Sequence, residues 1–108
     1  MNKKTKELFE ERARIVKALA HPTRLFIVDQ LQHKPKCVQE LTELIEVDIS
    51  TVSKHLSVLK NAGIVSDEKR GQMVYYSLKV PCVLNFFGCV ESVMNSSARQ
   101  QLQIIKTK

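Results

Sequence analysis

Apolar side chains recur every three or four residues through the first part of the chain, which is the spacing of one face of an α-helix. The pattern predicts a first helix over residues 5–19, a second over 23–32 and a short third over 38–46. His21 and Pro22 separate the first two, because proline is unfavourable inside a helix and tolerated at its first position. The first helix carries an apolar stripe, and the second is expected to bury one face. The stripe consists of Leu8, Ile15 and Leu19 with Phe9 and Val16 beside them, and the buried face of Leu25, Phe26, Val28 and Leu31.

The segment that follows the third helix carries the most specific pattern. Residues 47–49 predict a short turn, and Asp48 and Thr51 are placed to cap a fourth helix. Its apolar positions are expected to face inward: Ile49, Val52, Leu56 and Leu59. Its outer side is polar and holds one formal charge: Ser50, Thr51, Ser53, Lys54, His55 and Ser57. Two helices joined by a three-residue turn, the second with hydrogen-bonding side chains and no acid outside, form the arrangement that enters the major groove of DNA.

A β-hairpin is predicted after Gly63, the residue that stops the fourth helix. Its two strands and the loop between them cover residues 64–66, 73–78 and 67–72. Beside a helix-turn-helix such a hairpin forms a wing, with Lys69 and Arg70 at its tip placed to reach phosphates or the minor groove. The alternative is an ordinary solvated loop.

The last segment opens at Pro81 and is predicted to be a helix too apolar for the surface of a monomer. Residues 80–97 hold one charge, that of Glu91. The apolar side chains exceed the single stripe that a surface helix needs: Val83, Leu84, Phe86, Phe87, Val90, Val93 and Met94. Gly88 costs about 1 kcal/mol relative to alanine inside a helix, which a closely approaching second helix explains. The segment therefore predicts a dimer interface.

Composition agrees with a single domain over residues 1–108. The chain has 17 Lys and Arg against 11 Asp and Glu, and its net charge of +6 favours a polyanionic partner. No apolar run is long enough to span a bilayer, and the charged start lacks the core of a secretion signal. We therefore expect a cytoplasmic protein that does not bind membranes.

Two other classes of protein are disfavoured. The sequence has no glycine-rich phosphate loop, HExxH motif or nucleophile elbow, so an enzyme is not expected. His33 and Cys37 lie four residues apart, but the Lys-Pro-Lys segment between them removes the shared helical face of a thiolate and base pair. A peripheral membrane helix usually presents lysines and arginines to lipid, and the last helix lacks them on its polar face.

Five runs of residues carry a family likeness: ALAHPTRL (18–25), VQEL (38–41), TVSKHL (51–56), LKNAGIV (59–65) and VYYSL (74–78). They resemble the ArsR/SmtB family of bacterial repressors, and the likeness covers about residues 13–78 without a gap. The resemblance implies a winged helix-turn-helix homodimer, held by its first and last helices. Such a dimer binds a palindromic operator in double-stranded DNA, with no cofactor, and leaves when an inducer binds.

By the same resemblance the fourth helix is the recognition helix. The residues expected to meet DNA are Ser50, Thr51, Ser53, Lys54, His55 and Ser57, with Lys69 and Arg70 of the wing. Hydroxyls and Lys54 suit phosphate oxygens and some base edges, and His55 can donate or accept. His55 also lies next to Leu56, so the alternative for it is a half-buried packing residue.

The cysteines bear on the inducer. The family's arsenic sensors carry Cys-Val-Cys at the start of the third helix, where this chain has Cys37, Val38 and Gln39. The zinc sensors take carboxylates and histidines from the last helix, which here has no histidine or aspartate. Thiolates prefer soft cations, so trivalent arsenic or antimony, with Cys37, Cys82 and Cys89 as metal ligands, is the leading hypothesis.

Geometry limits how the three thiols meet. Cys82 and Cys89 lie about 10.5 Å apart along an unbroken helix, too far for one ion to bridge. A shared site needs Cys37 with either a frayed helix start at residues 81–82 or a cysteine from a partner's last helix. Two alternatives stay open: a dithiol switch of Cys37 and one last-helix cysteine, closed by persulfide or oxidant, or three small buried hydrophobes.

Overall fold

The computed structural model describes residues 1–107, with the side chains of residues 1–98. The elements follow in the order α1 (Lys3–Leu19), α2 (Pro22–Leu31), β1 (Lys36–Cys37), α3 (Val38–Ile45), α4 (Ile49–Asn61), β2 (Val65–Arg70), β3 (Met73–Leu78) and α5 (Val83–Thr107). The three strands form one antiparallel sheet in the order β1-β3-β2. The expected mainly helical fold with a small hairpin is confirmed, and a third strand is added to it.

Side chains that accept hydrogen bonds at the helix starts explain where α1 and α2 begin. The Oδ1 of Asn2 accepts from the Thr5 amide at 2.8 Å, so α1 starts two residues earlier than predicted. The Nδ1 of His21 accepts from the Thr23 amide at 3.1 Å, and Pro22 is the first residue of α2. Each acceptor satisfies an amide that has no partner inside its helix.

In the hairpin, β3 has the predicted bounds and β2 is longer than predicted. β2 runs to Arg70, which pairs with Met73. The loop expected over residues 67–72 was therefore wrong in extent, and the turn consists of Gly71 and Gln72. Gly71 has a φ of +63°, a left-handed conformation that glycine adopts without a clash from a Cβ atom.

Pairing with β3 explains why charged residues continue β2. Asp67 and Glu68 lie opposite Tyr76 and Tyr75 in the ladder. The Arg70 guanidinium lies 4.9 Å from the centroid of the Tyr75 ring. These residues lack the alternation of a typical strand, so their local sequence resembles a loop, and the neighbouring strand decides their conformation.

The strand β1 was not predicted. Lys36 pairs with Tyr76 and Cys37 with Tyr75, which places both residues at the edge of the sheet next to β3. Two residues are too short to carry a period of hydrophobicity, so only the partner strand reveals them. As a result Cys37 is buried, and it also stands directly before α3 as its N-cap residue.

The core lies between α2, α3, α4 and the sheet. Residues buried as predicted are Leu19, Val28, Leu31, Val52, Leu56 and Leu59. Ile49 was expected to face inward and is 51% exposed, because it begins α4 at the rim of the core. Phe26 was also expected inside and is 37% exposed, whereas its neighbours Ile27 and Val28 are fully buried.

The helix α5 begins at Val83, two residues after the predicted opening at Pro81. Residues 80–82 form a turn whose carbonyls accept from the first amides of α5, including that of Leu84 at 3.1 Å. The start of α5 packs against the core through Val83, Leu84 and Phe87. Within residues 1–107, no helix combines the length and apolar character needed to cross a membrane.

Candidate DNA-binding interface

The pair α3 and α4 is joined by a tight turn. Glu46 follows α3 with a left-handed φ of +62°, and its amide donates to the Thr42 carbonyl at 2.9 Å. This conformation reverses the chain within residues 46–48, so that α4 starts beside the end of α3. The three buried side chains of α4 then fix its rotation and turn its other side to solvent.

The start of α4 is held by Asp48. Its carboxylate accepts from the Thr51 amide at 3.3 Å and from the hydroxyls of Ser50 and Thr51, the latter at 2.6 Å. The Ser50 hydroxyl, followed by that of Thr51, lowers the pKa of Asp48 to about 2. The predicted cap is therefore confirmed, and it orients two of the hydroxyls expected to meet DNA.

The solvent side of α4 has the composition that was predicted. Ser50, Ser53, Lys54 and Ser57 are exposed and are called the polar face here. Thr51 and His55 are half-buried and lie on its flank. Asn61 is also exposed and, four residues after Ser57, shares the side of the polar face. It was not predicted, because beside Ala62 and Gly63 it resembles part of the helix stop.

His55 packs against the start of α2. Its ring centroid lies 4.3 Å from that of His21, with the rings tilted by 43°. Burial lowers the pKa of His55, and electrostatic interaction with the neighbouring His21 and Arg24 side chains lowers it further. The neutral imidazole is thus favoured, and His55 both borders the polar face and contacts the α1–α2 junction.

The wing, defined as the β2–β3 hairpin, is attached to the far end of α4. The Nζ of Lys60 lies 2.8 Å from the Oδ2 of Asp67 at the base of the hairpin. Near the turn Lys69 is exposed, and Arg70 donates to Glu68 at 3.2 Å. The two residues predicted to contact DNA, Lys69 and Arg70, therefore lie close to the hairpin tip, and Arg70 forms an ion pair with Glu68.

The three cysteines are free thiols that differ in their exposure to solvent. Cys37 is buried, whereas Cys82 and Cys89 are exposed. Cys82 precedes α5 instead of lying within it, so the separation along an unbroken helix does not apply. No group of three or more Cys, His, Asp or Glu suited to a metal ion is formed in a single protomer by the residues described. One protomer in this conformation therefore does not fit a three-thiolate ion by itself.

Cys37 lines a groove of about 200 Å³ that reaches the start of α4 and the wing. It is lined by Ile49 at the start of α4 and by Gln72, Met73 and Val74 at the wing turn. Cys37 therefore lies near both the start of α4 and the wing.

A turn-linked helix pair, an exposed polar second helix and an adjoining hairpin define a winged helix-turn-helix protein. Residues 21–67 match the family described as bacterial regulatory protein, arsR family. The HTH-type transcriptional repressor SmtB of Mycobacterium tuberculosis is 40% identical over 73 residues, 68% of this chain and 54% of SmtB. The cadmium resistance transcriptional regulatory protein CadC of Listeria innocua is 39% identical over 70 residues, 64% of this chain and 59% of CadC.

Solved structures extend the similarity over nearly the whole chain. The homodimeric winged helix-turn-helix DNA-binding domain of Mb0332 from Mycobacterium bovis has a TM-score of 0.77 and 27% identity, covering 93% of each chain. A crystal structure of a possible transcriptional regulatory protein of the same species has a TM-score of 0.72 and 31% identity, covering 82% of this chain and 95% of that one. This chain belongs to the arsR family of bacterial regulatory proteins. It spans little more than half the length of SmtB and CadC.

Proposed function

We propose that this protein is a homodimeric transcriptional repressor that binds a palindromic DNA site, with α4 of each protomer in the major groove. The observation that carries the proposal is the polar face of α4, whose opposite side is anchored in the core. Because its proposed partner is a double-stranded DNA operator, we place the protein in the cytoplasm. No catalytic step is part of this function, and SmtB and CadC bear the names of transcriptional regulators.

The proposed DNA contacts fall into two groups. Hydroxyls and the Lys54 ammonium on the polar face suit base edges and phosphates, and Lys69 with Arg70 suits the adjacent backbone or minor groove. The contact residues proposed are Ser50, Thr51, Ser53, Lys54, His55 and Ser57 of α4, with Lys69 and Arg70 of the wing. The net charge of +6 supports the electrostatic part of the binding.

The dimer is proposed from apolar surface that one protomer leaves uncovered. On α5, Val93 and Met94 are 66% and 62% exposed, and on α1 Phe9 is 50% exposed. A groove of about 200 Å³ between α2 and α5 is lined almost entirely by apolar side chains, including Leu25 and Phe86. Exposed apolar area of this kind on a small chain favours a second copy, and Mb0332 supplies a homodimeric precedent.

The repressor function is tested with a duplex selected from a random pool by the protein itself. We expect the selected sites to be palindromic and Lys54→Ala to weaken binding by about fivefold or more, since one such contact contributes about 1 to 3 kcal/mol. The matched control is Lys4→Ala, which removes an exposed charge from the other end of the molecule. A wild-type protein that selects no sequence, or a Lys54→Ala variant that binds like the control, contradicts the proposal.

We propose further that a thiophilic inducer, most plainly trivalent arsenic or antimony, releases the DNA through Cys37, Cys82 and Cys89. The chemistry of three thiols supports a soft cation, and the name of CadC connects a relative with cadmium resistance. Because one protomer does not bring three ligands together, the site requires a cysteine of the second protomer or a movement of residues 80–82. Because Cys37 lines the groove beside α4 and the wing, an inducer bound to Cys37 would be coupled to both elements.

The inducer is tested by releasing the selected duplex from reduced protein with arsenite, zinc and polysulfide in parallel. Loss of the arsenite response in Cys37→Ser, Cys82→Ser and Cys89→Ser alike supports three ligands. A response that survives in the Cys82 or the Cys89 variant reduces the site to two. Release by polysulfide alone, lost in Cys37→Ser, supports the second candidate, the dithiol switch. If none of the three compounds releases DNA, the proposal of cysteine-based sensing is wrong, and the proposal of DNA binding stands.

A further inference from the structure

A cationic cleft lies between α1, α2 and the C-terminal end of α4, and its volume is about 370 Å³. Arg14 and Lys17 of α1 and Arg24 of α2 line its walls. Its apolar lining consists of Ala18, Val58 and Ala62. Asn61 contributes the remaining side chain, so the cleft holds three cations and no carboxylate among its lining residues.

Two of the three cations are uncompensated. Arg14 donates from Nη2 to the Oε1 of Glu11 at 2.6 Å and from Nε to the same carboxylate at 3.1 Å. Lys17 and Arg24 have no acidic partner within 4.0 Å among the side chains of residues 1–98. The cleft therefore has an excess of positive charge beside apolar walls, where electrostatic attraction is stronger than in open water.

Arg24 adds a second and independent observation. Its Nε is buried and has no hydrogen-bond acceptor among residues 1–98. A buried donor without a partner costs about 1 to 3 kcal/mol, so such groups usually have a hydrogen-bond acceptor, and an anion bound beside Arg24 can provide one. The guanidinium offers a planar set of donors that matches the oxygens of a phosphate group.

The position of the cleft relates it to the polar face. Asn61 lines the cleft and lies on the same side of α4 as Ser57. Val58 and Ala62, which also line it, follow His55 along the flank that faces α1 and α2. The cleft thus borders one flank of the polar face, and the wing borders the other through Lys60.

We propose that the cationic cleft binds a phosphate oxyanion, and that in the DNA complex this anion is a backbone phosphate beside the groove that α4 enters. The inference rests on the proposed DNA binding and adds Lys17 and Arg24 to its contacts. A phosphate contact carries no sequence information, so its role is to set the position and orientation of α4 on the duplex. The wing then contacts the backbone on the opposite flank.

The salt dependence of DNA binding tests the cleft. Affinities of wild type, Lys17→Gln and Arg24→Lys for the selected duplex and for an unrelated one are measured over about 50 to 200 mM KCl. Lys17→Gln is expected to reduce the slope of log affinity against log salt by about 0.9 per site, hence about 1.8 per dimer, on both duplexes. Arg24→Lys keeps the charge and removes the Nε, so it is expected to weaken binding with little change in slope.

The control for these variants is Lys4→Gln, which removes the same charge from the exposed start of α1. Thermal melting of each variant confirms that the fold is intact before binding is compared. If Lys17→Gln changes the slope no more than Lys4→Gln does, and Arg24→Lys binds like wild type, the inference is overturned.

A second measurement distinguishes DNA from a free anion as the source of the phosphate. Inorganic phosphate and pyrophosphate are titrated into DNA-free wild type and Lys17→Gln and followed by phosphorus NMR. Saturable binding that Lys17→Gln abolishes, together with an unchanged salt slope, assigns the cleft to a free anion and overturns the DNA contact. Failure of the proposed function is recognised separately, because wild type itself then binds no duplex.

Discussion

The side chains of Asp48 and His55 both have pKa values below their ordinary ones, for different reasons. Hydroxyl donors from Ser50 and Thr51 stabilise the Asp48 carboxylate at the surface, whereas burial beside His21 disfavours the charged form of His55. Each group binds its proton less readily in the folded chain than in the unfolded one. The folded state therefore gains stability as the pH rises through these pKa values. For Asp48 the gain falls between about pH 2 and 3.8, and for His55 it falls between the lowered pKa of the folded state and pH 6.5.

The first residue-scale prediction concerns His55. The contribution of His55 to the free energy of unfolding is expected to reach its full value above pH 6.5 and to be lost as the pH falls through the lowered pKa of His55. The reason is that the imidazole binds a proton more readily in the unfolded chain than in the folded one. His55→Gln should flatten this fall in urea titrations between about pH 8 and 5. His33→Gln, at an exposed position after α2, should leave the profile as in wild type. Equal steepness in all three proteins contradicts the prediction.

The second concerns the cap of α4. Asp48→Ala should lower the melting temperature at neutral pH, since the Thr51 amide loses its acceptor. Asp48→Asn keeps an oxygen acceptor and should recover most of the loss, because asparagine caps as well as aspartate. Melting curves by circular dichroism compare the three proteins. An asparagine variant as unstable as the alanine variant shows that charge, and not the cap, is what matters.

At the scale of elements, α4 is held from both sides. Its buried stripe packs on the core, and Lys60 near its end pairs with Asp67 of β2 at 2.8 Å. The hydrogen bond to Asp67 raises the pKa of Lys60, so the lysine is charged at neutral pH. The hairpin therefore follows the orientation of α4, provided that its own turn is correctly formed.

The prediction for the hairpin concerns Gly71. Gly71→Ala is expected to destabilise the fold by about 1 to 2 kcal/mol, because an alanine at positive φ brings its Cβ too close to the following carbonyl. A Cβ at this position meets no atom within 4 Å, so backbone strain is the only expected cost. Gln72→Ala is the control. Urea unfolding measures both, and equal stability of the two variants rules out strain at the turn.

At the scale of the whole molecule, exposed apolar side chains on α1 and α5 are the main feature that a lone protomer leaves unexplained. Gly88 is part of it, since a Cβ there meets nothing within 4 Å in the single chain. Two copies that cover these faces would hold two α4 helices at a fixed separation. Such a dimer is expected to bind a palindromic site whose two half-sites lie one helical turn of DNA apart, about 34 to 36 Å.

The prediction for the assembly is that Val90→Asp gives monomers. Val90 lines the apolar groove of α5, and a buried unpaired carboxylate there would oppose association. Asn85→Asp places the same charge on another side of the helix and should leave dimers. Sedimentation velocity at micromolar concentration distinguishes them. A wild-type monomer contradicts the dimer itself, and a dimeric Val90→Asp variant contradicts this part of its interface.

Local patterns were sufficient for the helices and for the polar face. A helix closes its hydrogen bonds between residues four apart, so spacing, caps and proline or glycine stops appear in a short stretch of sequence. Asp48 as a cap and Leu56 as a core residue were predicted on this basis. The three thiols are a contrasting case, because their types are plain in the sequence and their distances depend on how the elements pack.

The sequence by itself therefore determined that α4 exists, which of its sides is buried and which polar groups it presents. Tertiary structure alone decided the β1 strand, the extension of β2 to Arg70, the contact between His55 and His21, and the meeting of Lys17 with Arg24 in one cleft. The physical reason is the range of the interactions. Strand pairing, ring contacts and the convergence of charges join residues distant along the chain, and no local period of hydrophobicity records them.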